Sequence, residues 1–294
     1  MNSKFDVSVS DNIGYVRKFP DSEFKLIMTS PPYNNDKEYE TRLGESEWLA
    51  SQKVIISECV RVLSPNGSIC WQVGNSIASP SEIVPLDAVL YPVFKSFGLK
   101  LRNRIVWHFG HGLHCTKRFS GRHETILWFT KGDSYTFNLD AVRIPQKYPG
   151  KKHFKGPKAG LFSCNPLGAN PGDVWLDFPN VKANHCEKTP HPCQYPVALV
   201  ERLVLALTNT GDKVLDPYVG SGTTIVAAVK NGREGYGCDT VTEYVEIAKH
   251  RLDMLARGEL KTRPIGKPIY SPKNTSCIIS ANKVSSACKR MVGF

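Results

Sequence analysis

The sequence predicts an α/β protein: a mostly parallel sheet with helices on both faces. Three observations predict it. First, short apolar runs end in loop chemistry, as Phe24–Thr29 does before Ser30-Pro31-Pro32-Tyr33 and Lys213–Asp216 does before Pro217-Tyr218-Val219-Gly220-Ser221-Gly222. Such runs read as strands buried on both faces. Second, they alternate with segments of helical period, which favours parallel pairing under a helical cover. Third, 294 residues suit one large domain, or one domain with an inserted module.

Each element has its own signal. Trp48 to Leu63 places Trp48, Val54, Ile55, Cys59 and Val62 at helical spacing and stops at Ser64-Pro65-Asn66-Gly67, a turn signal. Ser68–Gly74 is the next buried strand, Leu86–Phe97 a helix, and Arg104–His108 and Thr125–Phe129 two further strands. Between about Gly110 and Thr189 periodicity fades, and Lys, Arg, Pro, Gly, Asn and His accumulate. A long connection of this kind is functional or disordered. Helical order returns at Pro196–Leu207, followed by strand Lys213–Asp216, helix Thr223–Lys230, strand Glu234–Asp239 and helix Thr242–Arg257. Beyond Gly258 the chain is basic and rich in Pro, Ser and Asn, which predicts a mobile tail.

Composition narrows the function. The net charge of +11 favours a polyanionic partner, most simply nucleic acid. No apolar run reaches the roughly 18 residues of a membrane span, and the polar start, Met1 to Asp11, is not a secretory signal. Nine scattered cysteines without a CxxC pair read as reduced thiols. Lys147 to Lys158 interleaves cations with aromatics, a pattern that suits phosphate contact and base stacking. Arg118, Arg122, Lys147, Lys151, Lys152, Lys155 and Lys158 are the candidate phosphate contacts, and Tyr148 and Phe154 the candidate stacking or wedging rings.

Two constellations carry chemistry. Gly220 and Gly222 make a tight turn between a strand ending at Asp216 and a helix opening at Thr223. Glycine permits positive φ and close approach of a ligand, and a helix N-terminus favours a carboxylate. Asp239 ends the next strand, 23 residues after Asp216, where an acid can accept ribose hydroxyls. Neither G-x-G-x-x-G nor a P-loop is present here. In the other constellation, Ser30 offers an acceptor, Pro31 and Pro32 fix a turn that presents carbonyls, and Tyr33 offers a ring face. That set suits a flat, amine-bearing ring. A conjugated base amine is a poor nucleophile, so it must be held close to its electrophile, and a base in a duplex must first leave the stack.

Asp216, Tyr218, Gly220, Gly222, Thr223 and Asp239 resemble motifs I and II of S-adenosylmethionine-dependent methyltransferases. Thr29-Ser30-Pro31-Pro32-Tyr33 resembles motif IV of the amino-directed DNA methyltransferases. Motif IV ahead of motif I, with a basic region between them, resembles the β group. Asp173-Val174-Trp175 looks like a recurrent element of that group, and His191-Pro192-Cys193-Gln194-Tyr195-Pro196 resembles its helix-leading motif, with Tyr195 in place of the usual Lys. Asp11 matches an acidic position near the cofactor adenine.

The resemblance implies the Rossmann-like fold of S-adenosylmethionine-dependent methyltransferases. It implies S-adenosyl-L-methionine as cofactor, no metal, double-stranded DNA as substrate and a cytoplasmic modification enzyme. It admits a cognate restriction endonuclease and a homodimer as partners. The expected organisation is a catalytic half (1–109), a target-recognition region (110–189), a cofactor-binding half (190–257) and a flexible basic tail (258–294). The Ser form of motif IV favours cytosine N4 over adenine N6. Rival readings are cytosine-C5 methylation through Cys193, a structural zinc at His185, Cys186, His191 and Cys193 or at His111, His114 and Cys115, an RNA methyltransferase, and a DNA binder without turnover.

Overall fold

The runs singled out above become neighbours in one eight-stranded sheet of the computed structural model, which describes residues 4–79, 81–110, 112 and 114–269. The strands are β1 (Phe5–Val9), β2 (Phe24–Thr29), β3 (Leu63–Val73), β4 (Asn75–Ser79), β5 (Glu82–Pro85), β6 (Lys100–His108), β7 (His123–Thr130), β8 (Val174–Trp175), β9 (Lys213–Asp216) and β10 (Glu234–Asp239). The helices are α1 (Asn12–Val16), α2 (Glu45–Val62), α3 (Leu86–Ser96), α4 (Val197–Leu207), α5 (Thr223–Lys230) and α6 (Thr242–Ala256). The sheet order is β1-β10-β9-β2-β3-β7-β6-β8, with β4 and β5 in a separate hairpin. The first five of these strands are parallel, β7 is antiparallel to both β3 and β6, and β8 is parallel to β6.

Strand alternation divides the core in two. On β2, Leu26 and Met28 enter the layer beneath α4, α5 and α6, while Phe24 and Ile27 face the layer of α1, α2 and α3. All four are fully buried, as a central strand covered on both faces requires. The chain leaves β9 through α5 towards β10, and leaves β2 through α2 towards β3, on opposite sides. The β9–β2 boundary is therefore a topological switch point, where connections diverge and leave a crevice at the carboxyl ends of the strands.

Some expectations needed correction. Ser64–Gly67 does not end the helical segment with a free turn; it lies inside β3 as a register shift, because Phe24 pairs with Leu63 and Leu26 with Ser68. The stretch 110–189 is not a separate module. It contains β7, which sits between β3 and β6, as well as β8. The apolar run Thr125–Phe129 gains more from burial in the sheet than from any local insert. The expected tail is also ordered at its start. Arg263 is buried, donates its backbone N–H to Glu187 Oε1 at 2.8 Å, and is followed by Ile265, packed on the α4–α6 layer. The rest of that expected tail, 270–294, lies outside the described residues, as does His111. The seven described cysteines are free thiols, and no described helix is long and apolar enough to cross a membrane.

Candidate active site

A cleft of about 550 Å³ opens at the switch point. Its two banks come from the two constellations. Ser30, Pro31, Pro32 and Tyr33 follow β2; Pro217, Tyr218, Val219, Gly220 and Ser221 follow β9. Asp239, at the end of β10, and Asp11, the N-cap of α1, join the second bank. Because β7 runs antiparallel, its first residues lie at the same edge, so Glu124 enters the cleft too.

The β9 bank is built by hydrogen bonds to backbone. Asp239 Oδ2 accepts from Gly220 N and Oδ1 from Val241 N, both at 3.0 Å. One carboxylate thus fixes two loops and keeps spare lone pairs for a ligand. Gly220 has φ +47°, and a Cβ there would lie 3.0 Å from His191 Nε2. The His191 ring also packs edge-on against Tyr244, with centroids 4.3 Å apart. Burial lowers its pKa, so it is neutral at pH 7. Beneath the turn, Arg251 of α6 donates to Ser221 O at 2.6 Å and Thr223 Oγ1 at 3.0 Å. Burial lowers its pKa to about 10, which leaves it charged at neutral pH.

Asp216 and Gly222 stand apart from the other residues of their constellation, because neither lines the cleft. Asp216 is fully buried, and Oδ1 accepts from Thr29 Oγ1 at 2.5 Å and Tyr218 N at 3.1 Å. It ties the end of β9 to the end of β2. Tyr195, where a Lys was expected, brings a phenol rather than a cation to within 3.5 Å of Oδ2. Without a counter-charge, burial pushes Asp216 up to about 7. Gly222 caps α5 with φ +76°, and a Cβ there would meet Ala248 Cβ at 2.6 Å. Its smallness serves the packing of α5 on α6.

The β2 bank is a hydrogen-bonded chain. Ser30 Oγ lies 3.2 Å from Tyr33 OH, and Tyr33 OH donates to Glu124 Oε2 at 3.3 Å. Gln72 of β3 donates its amide to the same oxygen. Trp48 Nε1 holds the turn by donating to Pro32 O at 3.2 Å. Burial pushes Glu124 up to about 7 and Tyr33 well above its ordinary value.

The basic candidates lie elsewhere. Arg118 and Arg122 sit on the β6–β7 connection, whose Gly112 borders the cleft. Lys147, Tyr148, Lys151, Lys152, Phe154, Lys155 and Lys158 are exposed on an excursion closed at its base by the Ile144–Ala169 bridge. None of these seven lines the cleft. Phe154 is 96% exposed and Phe119, beside Arg118, is 100% exposed.

The suggested zinc ligands do not converge. His191 faces Gly220, and Cys193 Sγ accepts from Tyr39 OH at 3.2 Å. His185, Cys186 and Glu187 are close together, but both Glu187 carboxylate oxygens accept backbone N–H groups, from Val197 and Arg263. Sequence reasoning missed Glu124, Gln72, Trp48 and Arg251. Only Glu124 left a signal: a lone acid at the mouth of the apolar run Thr125–Phe129.

Comparison with known proteins agrees with this geometry. A DNA methylase family model of the N6/N4 type matches residues 24–250. The type II methyltransferase M.BglII of Bacillus subtilis is 50% identical over 238 residues, which is 81% of this chain and 66% of M.BglII. The DNA adenine methyltransferase YhdJ of Escherichia coli (strain K12) is 32% identical over 83% of this chain and 81% of its own length. Among solved structures, the DNA modification methylase TTHA0409 of Thermus thermophilus, complexed with S-adenosyl-L-methionine, superposes with a TM-score of 0.62 at 26% identity, covering 87% of this chain and 94% of that one. The sheet is the S-adenosylmethionine-dependent methyltransferase fold, and this chain belongs to the DNA methylase family.

Proposed function

We propose that this protein transfers a methyl group from S-adenosyl-L-methionine to the exocyclic amine of a base flipped out of double-stranded DNA, with cytosine N4 as the target. The observation that carries this reading is the convergence of the Ser30 turn and the Gly220 turn on one cleft at the switch point. The residues fit the cofactor. Asp239 retains lone pairs for ribose hydroxyls beside a turn that has no Cβ at Gly220. Asp11, Tyr218, Gly220, Thr223 and Asp239 hold it, while Asp216 and Gly222 act from behind by fixing the strand end and the helix. When bound, it supplies a methyl group made electrophilic by a cationic sulfur.

Ser30 Oγ and a carbonyl of the Pro31-Pro32 turn accept the two amino hydrogens, and Tyr33 borders the base. Holding both N–H bonds aims the nitrogen lone pair and lowers the entropy cost of attack. The exposed lysines of the 145–168 excursion and Arg118 and Arg122 take phosphates, and the neighbouring rings stack on or wedge between bases. A second reading, adenine N6 by the same mechanism, is favoured by the likeness to the adenine methyltransferase YhdJ. Site-specific modification beside a cognate endonuclease, by a homodimer, completes the proposal and follows the likeness to the type II enzyme M.BglII.

The test is incubation with labelled cofactor and unmethylated DNA, followed by nucleoside mass spectrometry. N4-methylcytosine is the expected product. N6-methyladenine would keep the mechanism and reverse the base. Bound cofactor with no methylated nucleoside would leave an RNA substrate or a DNA binder without turnover.

A further inference from the structure

Loss of a proton completes any methylation of an amine, and the cleft holds a group placed to receive it. Tyr33 has one hydroxyl proton, and it is donated to Glu124 Oε2 at 3.3 Å. The 3.2 Å contact between Ser30 Oγ and Tyr33 OH then has Ser30 as donor. That polarity leaves the Ser30 lone pairs free to accept from a substrate amine. Gln72 is almost fully buried and anchors the far end by donating to the same Glu124 oxygen. The chain fills the space over Gly74, where a Cβ would lie 3.0 Å from Tyr33 Cε2 and 3.3 Å from Glu124 Oε1.

We infer that Glu124 is the proton acceptor for methyl transfer, reached through Tyr33 and Ser30, and that its charge sets the direction of this relay. The inference rests on the amino-methyltransferase reading above. The amino nitrogen forms its bond to the methyl carbon, and the carbon–sulfur bond breaks with its electron pair on sulfur. One N–H bond breaks, and its proton goes to Ser30 Oγ while the Ser30 proton passes to Tyr33 and the Tyr33 proton to Glu124. The products are a methylated amine, a neutral thioether and a neutral Glu124 carboxyl, so charge and protons balance.

Glu124 does not touch the amine; it acts through its neighbours. Burial pushes it up to about 7, so it is poised to take up a proton near neutrality. Tyr33 is the titratable group in direct contact, and Cys193 lies on the far side of Tyr33. Asp11, Lys182, His191 and Asp239 line the same cleft, and among the described residues none is paired with Glu124.

The full-length protein tests this directly with Glu124→Gln and Tyr33→Phe, which keep side-chain shape. Carbon-13 NMR of the glutamate-labelled protein should show one carboxyl titrating near pH 7 in the wild type and absent from Glu124→Gln. In single turnovers the wild-type rate should rise about tenfold per pH unit below that midpoint and level off above it. Both variants should lose the rise and be at least about tenfold slower at pH 8, with cofactor affinity unchanged by calorimetry. No glutamate titrating near neutrality, or a rise that persists in either variant, would overturn the relay while wild-type methylation stood. A persisting rise would belong to another group, such as Asp216. Wild-type protein that methylates no base at any pH would remove the underlying reading, and the relay with it.

Discussion

Glu124 and Asp216 are carboxyls of the same cleft region, one on each bank, and burial raises both to about 7. Their surroundings differ. Glu124 is half-buried, lines the cleft, and ends a chain of side-chain hydroxyls leading to Ser30. Asp216 is sealed, and its partners are Thr29, the Tyr218 backbone and the Tyr195 phenol. A perturbed carboxyl is a functional candidate only by probability. Access to the cleft separates a group that can exchange a proton with substrate from one that ties two strand ends together.

Four substitutions test that contrast. The largest effect should come from Asp216→Asn, read as stability against pH in the protein without cofactor. The folded pKa is raised, so the folded state binds more protons than the unfolded state between about pH 4 and 7. Wild-type stability is therefore present at low pH and lost as pH rises through that window. Asn keeps an acceptor for Thr29 and Tyr218 without the charge, so the variant should gain on wild type by on the order of 4 kcal/mol between pH 3 and pH 8. Urea melts at both pH values check this. A constant difference would mean that Asp216 titrates normally.

Ser30→Ala comes next. It should cost about 100-fold in transfer rate while cofactor affinity stays within a few-fold, because the hydroxyl serves the amine rather than the cofactor. Parallel weakening of cofactor binding would erase the distinction between the banks. Asp239→Ala should act in reverse, weakening cofactor binding by about tenfold through the loss of a charged acceptor that also holds Gly220 and Val241. Titration calorimetry separates the two. The smallest effect should come from Lys151→Ala, which lies outside both banks. It should weaken DNA binding a few-fold at every sequence and reduce the salt slope by about one. A change in base preference at constant salt slope would remove it from the phosphate contacts.

Much of the fold could be read from local patterns. The strands at Phe24–Thr29, Lys213–Asp216 and Glu234–Asp239 have the boundaries expected from their apolar runs, and α5 begins and ends as its glycines predict. The short elements β1 and α1 were not legible. Phe5-Asp6-Val7-Ser8-Val9 is a brief edge strand, and a five-residue helix carries too few turns to show a period. The early part of the expected tail misled because its composition is polar and Pro-rich, yet Arg263 finds Glu187 from a distant part of the chain.

By itself the sequence determined the two turns and their chemistry, since Ser-Pro-Pro-Tyr and Gly-Ser-Gly act through backbone conformation and donor type, which are local properties. The tertiary structure alone decided what stands behind those turns. Asp216 closes on Thr29 across 187 residues, Tyr33 meets Glu124 across 91, and Arg251 reaches back 30 to Ser221. These partners come from strands and helices that become adjacent only when the two-sided core buries its apolar residues. The order of strands in the sheet, set by that burial, places one carboxyl in the open cleft and the other behind its wall.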